Sequence, residues 1–315
     1  GWADYSSAGV VLMGAEFVSL SLTPIMIGVC VAIGCSLPGN FLLLRSQSLI
    51  GDAISHVVLP GIVVAFLVTG AVATGPMLFG AASAALIAVL AIEVVRRLGR
   101  IETGAAMGVI FTAMFAVGVL LLEQSDTSGV HLDVEHALFG NLESLIWLDA
   151  KGWGSLLDPA TLRTVPVELP RMMAALLLIC IFIFIFWRPL GVSTFDEAYA
   201  KSVGIATGSL GLVLVFVSAI AAVAAFDAVG SIIVIAMFIC PPAAARMMTN
   251  RLGHQIAWSV IFAAFAAIIG YFLAGYGPQW FGNFNSVSAA GMIATISGVI
   301  LAITAMIGPC RKRTT

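Results

Sequence analysis

Nine apolar runs, each about the length a helix needs to cross a lipid bilayer, follow one another along this chain. They cover roughly residues 18–44, 54–74, 77–95, 104–122, 170–187, 209–226, 229–248, 255–275 and 287–307. A hydrocarbon layer about 30 Å thick takes about 20 apolar residues as a helix. Backbone groups in lipid need internal partners, and runs this continuous supply them as helices rather than as barrel strands. Composition leads to the same place, with 61% hydrophobic and 10% charged among 315 residues, against about 25% charged in a soluble domain. A single soluble core stops growing near about 250–300 residues, so no soluble fold of this length hides so much apolar surface. The expected fold is all-α, a polytopic integral membrane bundle of nine helices, or eight if 209–248 is read differently across its very short Phe226–Val229 connection. Residues 1–17 then form an outer or interfacial segment lacking a basic leader, and 18–315 a single transmembrane unit in contact with lipid.

Basic residues give the orientation. Arg45, the "RRLGR" of Arg96–Arg100, Arg188, Arg246 with Arg251, and the closing "RKR" all stand at ends of odd-numbered runs. Those ends are expected in the cytoplasm, with the N-terminus outside and the C-terminus inside. The 123–169 connection then faces outward, as its acids (Glu123, Asp126, Asp133, Glu135, Glu143, Asp149, Asp158) suit; Arg163 and Arg171 depart from the bias. A net charge of −2 gives nucleic acid nothing to bind. The five cysteines show no metal-ligand spacing, and four lie inside apolar runs, where Cys behaves as a small hydrophobe. With 32 glycines and many alanines, helices can approach closely in lipid.

An ionisable side chain at bilayer depth costs about 2.5–3.5 kcal/mol on insertion scales, so each one requires a reason. "SLIGDAISHVVLPGIVVAF" (Ser48–Phe66) puts Asp52 and His56 at i and i+4, on one helix face. Carboxylate oxygen with imidazole nitrogen suits Mn²⁺, Zn²⁺ or Fe²⁺, whereas thiolates would favour softer ions. Two ligands leave a shell open for waters or other helices, as a transporter that must release its ion requires. The plainer reading is an Asp–His hydrogen-bonded pair pinning two helices. Ser55 is placed to orient a ligand, and Pro60–Gly61 to bend the helix. Asp227 is either the N-cap of the seventh run or an outer station on an ion path. Glu93 beside Arg96 reads as an ion pair, and the His131/Asp133 and Glu135/His136 pairs read as loop polarity rather than a metal site.

The stretch "LRSQSLIGDAISHVVLPGIVVAF" resembles the GDA-x-SH-x-x-LPG signature of the ABC-type manganese/zinc/iron permeases. The resemblance continues in order through "GAAMGVIFTAMFAVGVLLL", "LDVEHALFGNL", "TFDEAYAKSVGI" and "AFDAVGSIIVIAMFICPPAAARMMT", covering about residues 20–307. It implies the membrane subunit of a bacterial binding-protein-dependent importer in the inner membrane. A second permease subunit, identical or paralogous, would pair with it, ATPase subunits would dock below, and an extracytoplasmic metal-binding protein would deliver the ion. The family's intramembrane acid and histidine match Asp52 and His56. Residues 191–206 would hold the coupling segment that meets the ATPase, with Asp196, Glu197, Ala198 and Gly204 at its marked positions. The transported dication is the expected ligand, manganese before zinc or ferrous iron, with no permanent cofactor. The chain has no GxxxxGK[ST] phosphate loop, so hydrolysis is expected on a separate ATPase and this chain is not itself an enzyme. The doubled proline Pro241–Pro242 departs from the family pattern and leaves the shape of the seventh run open. Two rivals remain, a proton-coupled secondary metal transporter and a membrane-embedded metalloenzyme; the second lacks HExxH or an equivalent.

Overall fold

The computed structural model describes residues 17–47, 50–70, 74–124, 140, 142–150, 152–280 and 287–308. Among them there are helices and no strand. α1 spans Val18–Leu44 and opens in a π-helical turn, Val18–Leu22. It is followed by α2 (Ile50–Thr69), α3 (Thr74–Gly99) and α4 (Thr103–Gln124). Next come α5 (Glu168–Ile185) and two short helices, α6 (Trp187–Phe195) and α7 (Glu197–Ser202). The chain continues through α8 (Thr207–Met248), α9 (Leu252–Trp280) and α10 (Ala289–Ile307).

Among the described residues, eight stretches are long and apolar enough to cross a membrane, two of them, Thr207–Phe226 and Ala228–Met248, within α8. α2 carries a further apolar stretch, His56–Thr69. The 209–248 region is two crossings rather than one. Gly211 lies beside the Arg45 guanidinium, and Pro242 packs on Gly39, only six residues before Arg45 on α1. A straight helix would hold positions 211 and 242 about 46 Å apart at 1.5 Å per residue, so α8 turns back on itself. The turn is at Gly230, where φ is 73° and ψ 175° inside otherwise helical backbone. That positive φ is one that glycine adopts without a Cβ clash.

The prolines inside α1, α2 and α8 (Pro38, Pro60, Pro241, Pro242) do not end their helices. Pro242 has no N–H for the Phe238 carbonyl one turn back. That carbonyl faces Gly39, where a Cβ would stand 2.5 Å from the oxygen, so α1 and α8 meet backbone to backbone. Around this contact Phe41 of α1 and Ile233, Val234, Met237 and Phe238 of α8 are fully buried. α8 is the centre of the bundle, packed on α1, α2, α9 and α10, while α2, α3 and α4 form a three-helix flank. α2 and α3 cross at Gly61 and Gly80, whose backbones touch.

While Arg171 in the first turn of α5 lies at one end of the bundle, the described basic ends of α1, α3, α6 and α8 fall together at the other. Arg45, Arg97 and the start of α8 are neighbours there, Leu252 packs on Gly191, and Gly308 meets Met247. The opposite end is closed by the described residues 140, 142–150 and 152–164. Gly140, at φ 66°, lies against the Val229–Gly230 backbone at the turn of α8. The Glu143 carboxylate accepts from the Ala289 N–H at the start of α10. The Trp147 N–H donates to the Ser19 carbonyl (2.8 Å), and its indole Nε1–H donates to Thr164 Oγ1 (3.0 Å).

Candidate functional site

α2 starts at the basic end, so His56 stands six residues in, about 9 Å along the axis. Its half-buried imidazole stacks on Phe111 of α4 (centroids 5.5 Å apart, planes at 21°) and meets the edge of Phe115 (5.6 Å, 79°). Phe111, Phe115 and Gly118 lie at i, i+4 and i+7, one face of α4, and Gly118 takes the Pro60 ring one turn beyond His56. Two aromatic contacts of this kind hold a ring orientation at about 0.5–1.5 kcal/mol each. Asp52 is one turn nearer the basic end on the same helix; its side chain, like those of Ser55 and Asp227, lies outside the described residues.

The other acids separate from this pair. Glu93 accepts from Arg96 (2.7 Å) and Arg97 (2.5 Å) at the end of α3, which makes it a helix-end ion pair. Asp227 is not the N-cap of the seventh crossing. The helical dihedrals continue through it and break at Gly230, so it occupies the last turn of the outward half of α8. It therefore sits at the end opposite to the start of α2, and the fold does not bring it to His56. His254 is exposed at the basic end, while His131, His136 and Cys310 lie outside the described residues. Cys30, Cys35, Cys180 and Cys240 are free thiols, and no cluster of three or more His, Cys, Asp or Glu occurs among the described residues. A groove of about 690 Å³ among Pro60, Val64, Phe79, Met114 and Val117 has no charged side chain among its described lining and offers a dication nothing.

The 191–206 segment folds at the basic end as the end of α6 and all of α7. Asp196 caps α7, its carboxylate accepting from the Tyr199 N–H at 2.8 Å. Gly204, at φ 84°, closes it, with its N–H on the Lys201 carbonyl (3.1 Å) and the Ile205 N–H on the Ala200 carbonyl (2.9 Å). Glu197 pairs with Lys201 (2.7 Å) and accepts from Thr207 Oγ1 (3.3 Å). The Lys201 hydrogen bond holds the Glu197 carboxyl below its ordinary value. Ala200 is buried, Ala198 is exposed, and Phe195, Tyr199 and Val203, at i, i+4 and i+8, put an apolar stripe into the open.

Two features of this region escape a reading of spacing alone. One is the aromatic seat of His56, whose trace in the sequence is the i, i+4 pair in "FTAMF". The other is Arg45, which is far more than an orientation marker. Its Nε–H donates to Thr194 Oγ1 at 3.0 Å, and an Nη2–H donates to Ser193 Oγ at 2.6 Å. Burial pulls the guanidinium below its ordinary value, opposed by the charge of Glu197.

Comparison with known proteins gives these positions a context. The model of the ABC 3 transport family matches residues 19–149 and 161–308. The chain is 35% identical over 282 residues to the manganese transport system membrane protein MntD of Bacillus subtilis, covering 90% of each chain. It is 33% identical over 290 residues to the zinc transport system membrane protein TroD of Treponema pallidum, covering 92% of this chain and 74% of that one. Among solved structures, PsaBC from Streptococcus pneumoniae in complex with Fab superposes with a TM-score of 0.75 at 26% identity, over 98% of both chains.

Proposed function

The chain belongs to the ABC 3 transport family, and from that membership we propose that it is the membrane-spanning permease subunit of an ATP-driven importer for a divalent transition metal. Manganese is the preferred cargo, with zinc or ferrous iron within reach of the same ligands. The observation that carries this reading is His56 held in an aromatic seat inside the bundle, one turn from Asp52, in a chain whose relatives include manganese and zinc transport proteins.

The carboxylate of Asp52 and the imidazole of His56 offer a hard oxygen and a borderline nitrogen on a single helix. A carboxylate alone would leave calcium and magnesium competitive, and the nitrogen favours first-row ions. Two ligands give a loose hold; waters or a second permease subunit complete the shell, and release needs few bonds broken. A second chain related by a two-fold axis would bring a second Asp–His pair toward the path. Asp227, beside the turn of α8 and at the end of the bundle away from the start of α2, is an outer station.

The basic end faces the cytoplasm of a bacterial inner membrane by the positive-inside rule, which puts the N-terminus and the 140–164 closure outside. There an extracytoplasmic metal-binding protein delivers the ion. On the inside, Asp196, Glu197, Ala198 and Gly204 build a rigid two-ended turn, and the exposed stripe of Phe195, Tyr199 and Val203 gives a separate ATPase an apolar surface to grip. Hydrolysis is the work of that partner chain.

The test is uptake into vesicles carrying the chain with its companion permease, ATPase and binding-protein subunits. Manganese should accumulate only with ATP, and Asp52→Ala or His56→Ala should reduce accumulation to background while insertion is unchanged. Normal accumulation in either variant removes the pair from the path. Accumulation driven by a proton gradient without ATP would make the chain a secondary transporter.

A further inference from the structure

Arg45 stands where two parts of the bundle can be mechanically joined. It is the C-cap of α1, and the chain leaves it through a fixed turn. The Ser46 N–H bonds the Leu43 carbonyl (3.1 Å) and the Gln47 N–H bonds the Leu42 carbonyl (2.8 Å), around Ser46 at φ 57°. This is the closure normally made with glycine, here made with a residue that resists it. α2, with Asp52 and His56 in its first two turns, begins at Ile50.

The other end of Arg45 reaches α6. Ser193 and Thr194 present adjacent hydroxyls in the last turn of α6, and the guanidinium forks onto both. Ser193 Oγ donates to the Leu190 carbonyl (3.2 Å), which leaves its lone pairs for Arg45. Residue 195 ends α6, and Asp196 caps α7 directly after it. The guanidinium also lies on α8, with Nη1 3.3 Å from where a Cβ at Gly211 would be. A planar fork of donors on two acceptors fixes both distance and orientation, which a point charge such as an ammonium does not.

We infer that Arg45 is the positioning residue that carries displacement of the 191–206 segment to the α1–α2 turn and so to the Asp52–His56 helix. This rests on the importer reading. A shift of α7 takes the Ser193–Thr194 hydroxyls with it, and the guanidinium must follow or lose both bonds in a half-buried setting. The closed turn after α1 holds the backbone as far as Gln47, three residues before α2 begins, so motion of Arg45 moves the end of α1 that leads into α2.

The experiment measures manganese taken up per ATP hydrolysed in the vesicle system with all companion subunits. Arg45→Met should lower that ratio about tenfold, within the usual range of coupling between distant sites, while the ATPase still co-purifies and hydrolyses. Arg45→Lys, with its charge kept and its fork lost, should fall between. The double variant Ser193→Ala with Thr194→Val should reproduce the fall, and it decides the matter if Arg45→Met does not insert. An unchanged ratio in the double variant, or uptake and hydrolysis falling in parallel, overturns the inference and makes Arg45 a structural staple. Absence of ATP-dependent uptake by the unaltered complex overturns the importer reading, and this inference with it.

Discussion

The seam of α1, α8 and α9 and the flank of α2, α3 and α4 use the same small and apolar residue types, yet they pack to different degrees. In the seam the halves of α8 are the most buried crossings, and in the flank α4 is the least buried. The seam joins backbone to backbone, with Gly39 on the Phe238 carbonyl and Gly140 on the turn of α8. The flank has the crossing of Gly61 on Gly80 and the approach of Gly118 to Pro60, and then opens into the apolar groove between α2, α3 and α4. His56 belongs to the open region, and its ring is held by side chains rather than by backbone. In lipid, where helix association comes from van der Waals fit more than from a hydrophobic drive, this difference divides the labour. The seam is the more closely joined frame, and the flank carries the groove and the seat of His56.

The sharpest way to break that division is to add one methyl group to each region. Gly140→Ala forces a Cβ into the Val229–Gly230 backbone at a positive φ, and neither side can move away. It should cost about 3 kcal/mol or more, read as a lowered melting temperature in detergent and poor recovery. Gly108→Ala on α4 meets nothing within 4 Å and should be neutral or stabilising by up to about 1 kcal/mol. Equal losses in the two variants would mean that the flank is as tightly built as the seam.

The second test concerns polarity inside the frame. Asn40 of α1 and Gln255 of α9 are fully buried. Gln255 Nε2–H donates to Asn40 Oδ1 at 3.1 Å, and Asn40 Nδ2–H donates to the Ser36 carbonyl at 2.8 Å. Gln255 Oε1 has no partner among the described residues. Asn40→Leu should therefore cost about 1–3 kcal/mol, because it strands the whole Gln255 amide. Gln255→Leu loses the same bond but also removes the unpartnered oxygen, and it should stay within about 1 kcal/mol of the parent. Thermal unfolding of the two variants side by side decides between them; the reverse order would show that the amide is satisfied by something outside this pair.

The frame was more legible in the sequence than the joints were. A membrane imposes run length and internal hydrogen bonding, so the crossings stand out, down to the division of 209–248 into two. What spacing cannot show is which residue carries the unusual dihedral. Asp227 has the chemistry of a cap, but the break is at Gly230, where only the backbone angle matters. Pro241–Pro242 has the chemistry of a breaker, yet the helix runs through, because the carbonyl that Pro242 leaves behind abuts Gly39 from 199 positions earlier in the chain. The partners of Arg45 lie 148 and 149 residues away and are two ordinary hydroxyls with no motif of their own. The 191–206 segment was marked in the sequence by its polarity and by the family resemblance, whereas the Asp196 cap and the Gly204 closure that shape α7 were read only from the structure.

The smallest expected effect bears on the flank's role most directly. Phe111 is half-buried on α4 and Phe238 fully buried on α8, so shortening each to leucine separates frame from seat. Phe238→Leu leaves a gap beside the α1–α8 contact and lowers stability. Phe111→Leu should leave the melting temperature nearly unchanged and act instead on His56, whose ring loses its stacking partner and turns more freely. The contact is worth about 0.5–1.5 kcal/mol, so manganese uptake should keep its maximal rate while the concentration for half-maximal uptake rises by roughly two- to tenfold. Phe111→Tyr, which keeps the ring, should restore the parent value. A fall in maximal rate or in melting temperature instead would place Phe111 in the frame and erase the boundary between the two regions.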